Sequence, residues 1–376
     1  MTELLPIFIF SMIMAYLSDR SSDAYIDEWG SKRYTRKDRF FFFIMALSMC
    51  VFVGLRRAYN DTSTYLNIYN ADISAEKRIM SQMSFSLSDS PAFKLVILSM
   101  KKVGMSDQTY LMLFALFDVA VGLWFIRKYT NNIALAVFYF YAMDLYTFYM
   151  AAIVQCTAFS CCLIAVDRLL SNKKLRFLIW IVIGILFHPY CALYLLAPLM
   201  MKAPWTKITY LTLLAVMLGV VFFRPLLETM ISITTAMGED YTVEEFSQGG
   251  VNIFRVAVCI IPTVLSFMAR RFLVNSTNKT ENLLINFAIL NGLLMFLALF
   301  GTANYFARMA NYFLIFQIFA LPLLFRYFNP QSKSMLLWMS VVGYSVYFYY
   351  SNGILYGGFD SLYRRITLLE YLQSLF

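Results

Sequence analysis

Apolar residues in this chain fall into long unbroken runs separated by short polar stretches. The runs cover about 4–17, 40–55, 109–126, 133–149, 151–169, 177–200, 208–223, 253–268, 282–300, 312–328 and 335–350. A segment that is apolar on every side, and not along one stripe, belongs in lipid or in a deep core. Strands of a transmembrane barrel would alternate polar and apolar positions, so a β-barrel is excluded. Runs shorter than about 20 residues are extended by flanking Tyr, Trp, Lys and Arg in the membrane interface. The pattern predicts an all-α, polytopic integral membrane protein with about 11 membrane-spanning segments. No repeat period or low-complexity linker divides it. We read residues 1–376 as a single transmembrane domain with external loops at 56–108 and 224–252.

Lys and Arg in short loops set the orientation. Loop 18–39 carries Arg20, Lys32, Arg33, Arg36, Lys37 and Arg39 and is placed inside, as are Arg127-Lys128 and the loop 171–176. Counting onward with 177–200 as one span puts Lys202, Lys207, Arg270, Arg271, Lys279, Arg326 and Lys333 outside and the acidic loop 238–245 inside. Every later loop obeys the rule if 177–200 is two half-helices. His188-Pro189 supplies the break, because proline disfavours a continuous helix there. The expectation is a broken helix hairpin near 177–200 with His188 at its tip, near the outer face; one kinked helix is the alternative.

Composition agrees. Hydrophobic residues make up 60% and charged residues 14%, against about 25% charged in soluble domains. A soluble enzyme, a disordered chain and a disulfide-built module are excluded. The six cysteines lie in apolar runs without metal-site spacing and read as small hydrophobes. No cleavable signal peptide is visible. The net charge of +9 is largely taken up by inner loops. What remains falls on the outer side: Arg56, Arg57, Lys77, Arg78, Arg308 and Arg364-Arg365. That excess needs an anionic partner, and phosphate is the natural one.

Three outer-face segments hold the candidate chemistry. In 53–69, Arg56 and Arg57 stand beside Asp61 and the tyrosines Tyr59, Tyr65 and Tyr69. Guanidinium groups bind phosphate through a planar fork and keep their charge in low dielectric. An interfacial anchor is the alternative. His188 is the lone histidine, so a His-based metal site is not expected; a hydrogen-bonded packing role is its alternative. The segment 304–313 brings Arg308 and Tyr312 to the start of the tenth run. Asp118 and Asp144 lie inside apolar runs and read as structural ion-pair members, with Arg255 as a partner for either, or as parts of a transport path. Tyr139, Tyr141, Tyr146 and Tyr149 read mainly as packing. There is no phosphate-binding Gly-rich loop, no Asp-x-Asp metal motif and no Gly-x-Ser-x-Gly elbow.

Together these segments resemble the EpsG-like, Wzy-type polysaccharide polymerases of bacteria. The likeness rests on Gly54-Leu55-Arg56 with Asp61, Thr62 and Tyr65; on Ser90-Pro91-Ala92-Phe93; on Phe187-His188 followed by Ala192-Leu193; and on Arg308 with Tyr312 and Phe313. It runs through most of the chain in order. One departure stands out: the family often has Ile-Arg-Gln where this chain has Ile153-Val154-Gln155.

The resemblance implies a GT-C-like membrane glycosyltransferase architecture. It implies an enzyme that joins polyprenyl-diphosphate-linked oligosaccharide repeat units into O-antigen, capsule or exopolysaccharide, releasing polyprenyl diphosphate. The setting implied is the bacterial inner (plasma) membrane, multi-pass, with the active site facing the periplasm or exterior. Partners would be lipid-linked donor and acceptor, membrane lipid and a chain-length regulator, with no nucleic acid; no cofactor or metal is expected. Asp61 and His188 are the catalytic candidates, with Asp61 preferred as base. Arg56, Arg57 and Arg308 would hold the diphosphate, and Tyr59, Tyr65 and Tyr312 would contact sugar or lipid. A flippase or transporter of the same lipid-linked sugar, or a glycan ligase, is the alternative.

Overall fold

Polar side chains placed just ahead of the apolar runs start the helices. Ser106 accepts from the Thr109 N–H at 3.2 Å, Asn132 from Leu135 at 2.8 Å, and Asn329 from Ser332 at 2.8 Å. Asn278 caps the helix Lys279–Leu297 through the N–H groups of Thr280 and Glu281. Each cap satisfies amides that a helix start leaves without partners. The computed structural model describes residues 1–21, 23–26, 32–36, 39–70, 90–222, 225, 228–229, 231–233, 250–300 and 306–374, with 23–26 and 32–36 described as backbone. Lys77, Arg78, the acidic loop 238–245, Asn304 and Tyr305 lie outside these residues, as do the side chains of Lys32, Arg33, Arg36 and Lys37.

The described chain is nearly all-α, with two short antiparallel ladders: Asp23–Ile26 with Lys32–Arg36, and Arg56–Ala58 with Arg364–Arg365. Among the described residues, three helices are long and apolar enough to cross a membrane: Asp107–Tyr129, Ile153–Leu170 and Lys279–Phe300. The pair Ile133–Ala142 and Leu145–Ala151, bent by 54°, is a fourth if taken as one span. This corrects the expected count of about 11 segments. Several runs were themselves shorter than about 20 residues and their helices extend them little or not at all, while 133–149 and 177–200 each break in two. Phe40–Gly54, Pro189–Met200, Lys207–Val221, Ile253–Met268 and Ile315–Phe325 are apolar but only 10–17 residues long, short of the roughly 20 that span a bilayer.

The core is aromatic. Tyr139, Tyr141, Tyr146 and Tyr149 are all buried, and their hydroxyls account for part of the helix packing. Tyr141 pairs with Ser11 at 3.0 Å, Tyr139 with Ser340 at 2.6 Å, and Tyr146 donates to the Met49 carbonyl at 2.9 Å. All six cysteines are buried and unbridged. Asp118 is not paired with Arg255. It accepts from Thr157 Oγ1 at 3.0 Å deep in the bundle.

Contacts sort the helix ends onto two sides. On one side, Asp19 accepts from the N–H groups of Ile133 and Ala134 at 2.9 and 2.7 Å. Asp167 bonds Lys128 and Tyr129, and Arg326 bonds Glu281 at 2.7 Å. Asn286 donates to the carbonyls of Met200 and Lys202 at 2.9 and 2.8 Å. A cavity shared by Tyr129, Asn132, Arg326 and Lys333 joins these contacts. On the other side, Arg57 meets Asp107, Asn252 meets Tyr350, and Arg365 meets Glu3.

The 177–200 run begins and ends on the first side. The helix Lys174–Phe187 stops at His188, whose backbone is extended, and a 3₁₀ helix Pro189–Leu196 follows. Cys191 Sγ lies 2.9 Å from where a Cβ on Gly184 would stand. Residues seven apart in a straight helix are separated by about 10.5 Å along its axis, so the chain has folded back. Lys173 and Lys202, both exposed, should therefore face the same compartment. Cysteines placed at these two positions are expected to react with an impermeant maleimide from one side, and a cysteine at exposed Asn70 from the other. Labelling of 173 and 202 from opposite sides would mean a single through-going helix.

Candidate active site

The Phe40–Gly54 helix ends where Gly54 presses against Met112; a Cβ there would sit 2.4 Å from the Met112 sulfur. The chain then runs extended through Arg56–Ala58, turns at Asn60 in the left-handed region (φ 46°), and re-enters a helix at Thr62–Asn70. Side chains alternate along extended backbone, so Arg56 and Arg57 part. Arg56 is 1% exposed. It donates to the Val53 carbonyl at 2.6 Å and to Thr62 Oγ1 at 3.2 Å. Arg57 is exposed and pairs with Asp107 at 2.7 Å, which also accepts from Asn70 at 3.0 Å.

Asp61 is exposed at the mouth of the Thr62–Asn70 helix. Its carboxylate acts electrostatically on the phenol of Tyr65, as does the Arg308 guanidinium with the opposite sign. Phe93 of Ser90-Pro91-Ala92-Phe93 holds the Tyr65 ring at 5.8 Å between centroids. The Val154 backbone lies close to the Tyr65 hydroxyl, so the stretch without the expected arginine is beside this phenol.

Arg308 is exposed on the short helix Phe306–Asn311 and also acts on the His188 ring. His188 Nδ1 accepts from the Tyr190 N–H at 3.4 Å. That assignment leaves the proton on Nε2, so the neutral ring presents a donor. Tyr312 is fully buried, its ring 5.9 Å from those of both His188 and Tyr190. Tyr194 donates to the Tyr312 carbonyl, fixing the layer beneath.

Asp61, Tyr65, Arg308 and His188 thus share one neighbourhood, and Tyr312 supports it from below. Arg56 and Arg57 stand apart from that set, one in the core and one on Asp107. Tyr59 turns away, its ring tilted against Phe359 at 5.1 Å between centroids, and lines a separate cavity. Among the described residues, no group of three or more His, Cys, Asp or Glu side chains could hold a metal ion.

The C-terminal segment was not singled out as part of the site, although Arg364-Arg365 was counted on its side. It lies over the Gly54-Leu55-Arg56 stretch. The Ile366 N–H donates to the Leu55 carbonyl at 3.0 Å, and the Tyr363 hydroxyl to the Phe52 carbonyl at 2.9 Å. Tyr363 stacks on Phe52 at 5.0 Å. Asp360 clamps this segment to the first residues, accepting from Thr2 N–H at 2.6 Å and Glu3 N–H at 3.2 Å. Burial is the largest single influence on the Asp360 carboxyl and raises it, but bonds from the terminal ammonium, Thr2 and Glu3 together outweigh it and hold the pKa at about 2. The only sequence signal for this strap was its paired arginines.

A family model described as the EpsG family matches residues 39–363. The chain belongs to the EpsG family. The match takes in every motif from Gly54-Leu55-Arg56 to Arg308 and stops at Tyr363, before the Arg364–Arg365 strand. EpsG membership carries a glycosyltransferase-like, polysaccharide-polymerase role. With its apolar helices, it marks a membrane protein of polysaccharide biosynthesis. No curated protein and no solved structure matches the chain.

Proposed function

We propose that this EpsG-family chain joins polyprenyl-diphosphate-linked oligosaccharide repeat units at the outer face of a bacterial plasma membrane, in a multi-pass, GT-C-like setting. The observation that carries this reading is that Arg308 acts both on Tyr65, beside Asp61, and on His188. An acceptor hydroxyl attacks the anomeric carbon of the donor sugar, and the bond from that carbon to the diphosphate oxygen breaks. The proton of the hydroxyl passes to Asp61 as general base. Charge developing on the departing polyprenyl diphosphate is met by the Arg308 guanidinium, with the Nε2–H of His188 as a second donor. Arg308 supplies a cation beside Ile153-Val154-Gln155, where the family's arginine is missing.

Purified protein in a bilayer, given a synthetic polyprenyl-diphosphate repeat unit, is expected to produce a ladder of glycan lengths. Arg308→Ala should slow ladder formation by about 10²–10³-fold, the usual effect of removing one preorganised oxyanion donor, with Arg308→Lys recovering part of it. An undiminished ladder from Arg308→Ala would defeat the assignment. Movement of the unit across the bilayer without elongation would make the protein a flippase.

A further inference from the structure

A second polar cavity of about 370 Å³ opens beside this neighbourhood, within the roughly 300–1,000 Å³ of small-molecule sites. It is built on a helix break. Ile133–Ala142 stops, Asp144 takes a left-handed conformation (φ 60°), and Leu145–Ala151 resumes at 54°. Non-glycine residues seldom adopt this conformation, and neither glycine nor proline forces it at 143–145. Helices broken at membrane depth occur where backbone is buried in protein or lines a cavity. An acid held at such a break is a functional candidate.

The cavity presents both a carboxylate and a guanidinium. Asp144 Oδ1 accepts from Ser351 Oγ at 2.7 Å and Asn352 Nδ2 at 2.6 Å. Arg255, donating to Asn311 Oδ1 at 2.7 Å, is close enough to act on Asp144 electrostatically, yet the two do not meet as an ion pair. Tyr59, Tyr350 and Tyr356 supply ring surface. An anionic ligand would face Asp144, and a cationic one Arg255. An apolar ligand would displace water from the remaining hydrogen-bonding sites of both charges without replacing it, at high cost. A neutral polyhydroxylated ring satisfies the set: its hydroxyls donate to the carboxylate and accept from the guanidinium and amides, while its C–H faces lie on the aromatic rings.

We propose that this cavity is a subsite for a neutral pyranoside residue of the substrate glycan, with Asp144 and Arg255 as specificity-determining groups. The proposal rests on the polymerase reading for its substrate. It also has a geometric link: Asn311 lies on the helix that carries Arg308, and Tyr59 is two residues before Asp61.

The test is saturation-transfer NMR on the full chain in nanodiscs. The probes are methyl glycosides of glucose, galactose, mannose and N-acetylglucosamine, with methyl glucuronide and methyl glucosaminide as charged controls. At least one neutral glycoside is expected to bind in preference to both controls. Asp144→Ala and Arg255→Ala should each weaken that binding about tenfold or more, as for loss of a charge-assisted hydrogen bond. Tyr356→Ala at the exposed rim should weaken it severalfold without disturbing the core, which covers the case in which Asp144→Ala fails to fold. Asp61→Asn should leave glycoside binding intact. No glycoside signal, equal signals from all variants, or preference for a charged control would overturn the subsite. Cavity-dependent binding by a protein that makes no ladder would overturn the polymerase reading alone.

Discussion

Asp61→Asn is expected to cut the rate of ladder formation by about 10²–10⁴-fold, the range for loss of a general base. It should leave the protein folded. Asp61 is exposed, and its carboxylate makes no hydrogen bond or ion pair among the described residues. Surface substitutions of this kind shift stability by about 0.5 kcal/mol or less. Asparagine keeps the shape and removes the proton-accepting charge. Its effect should fall on the turnover rate, with binding of the lipid-linked unit unchanged, because the base works only when the acceptor hydroxyl gives up its proton. Single-turnover rates alongside binding of the lipid-linked unit would separate the two. A full single-turnover rate in Asp61→Asn would move the base elsewhere.

Arg56→Ala is expected to act in the opposite way, through stability. The Arg56 guanidinium is buried and ties the Val53 carbonyl to the Thr62 hydroxyl across the Asn60 turn. Alanine leaves a void and withdraws donors from two buried oxygens. The cost should be about 2–5 kcal/mol, seen as a lower apparent unfolding midpoint in detergent and a smaller monodisperse fraction. Arg56→Lys should recover little, since one ammonium does not reproduce a planar fork. An Arg56→Ala protein as stable as the parent but inactive would instead assign the guanidinium to the diphosphate.

These two expectations show which parts of the site could be read in one dimension. His188-Pro189 announced the fold-back because proline's constraint is local. Helix length was partly legible: runs such as 253–268 were already short and their helices are no longer, whereas apolar composition continues through the 54° bend that divides 133–149. The break at Asp144 carries no glycine or proline, only an acid within an apolar run. The separation of Arg56 from Arg57 depends on three residues of extended backbone whose strand partner lies near the far end of the chain. No local pattern encodes that pairing.

That pairing also orders events during synthesis. Arg56 meets its strand partner at Arg365, roughly 300 residues later in the chain. At about 5–20 residues per second, the ribosome delivers that partner some 15–60 s after the arginine itself. Until then the Leu55 carbonyl lacks the Ile366 amide and the Phe52 ring lacks Tyr363. A nascent chain therefore carries an unfinished site until Arg364–Ile366 has been made.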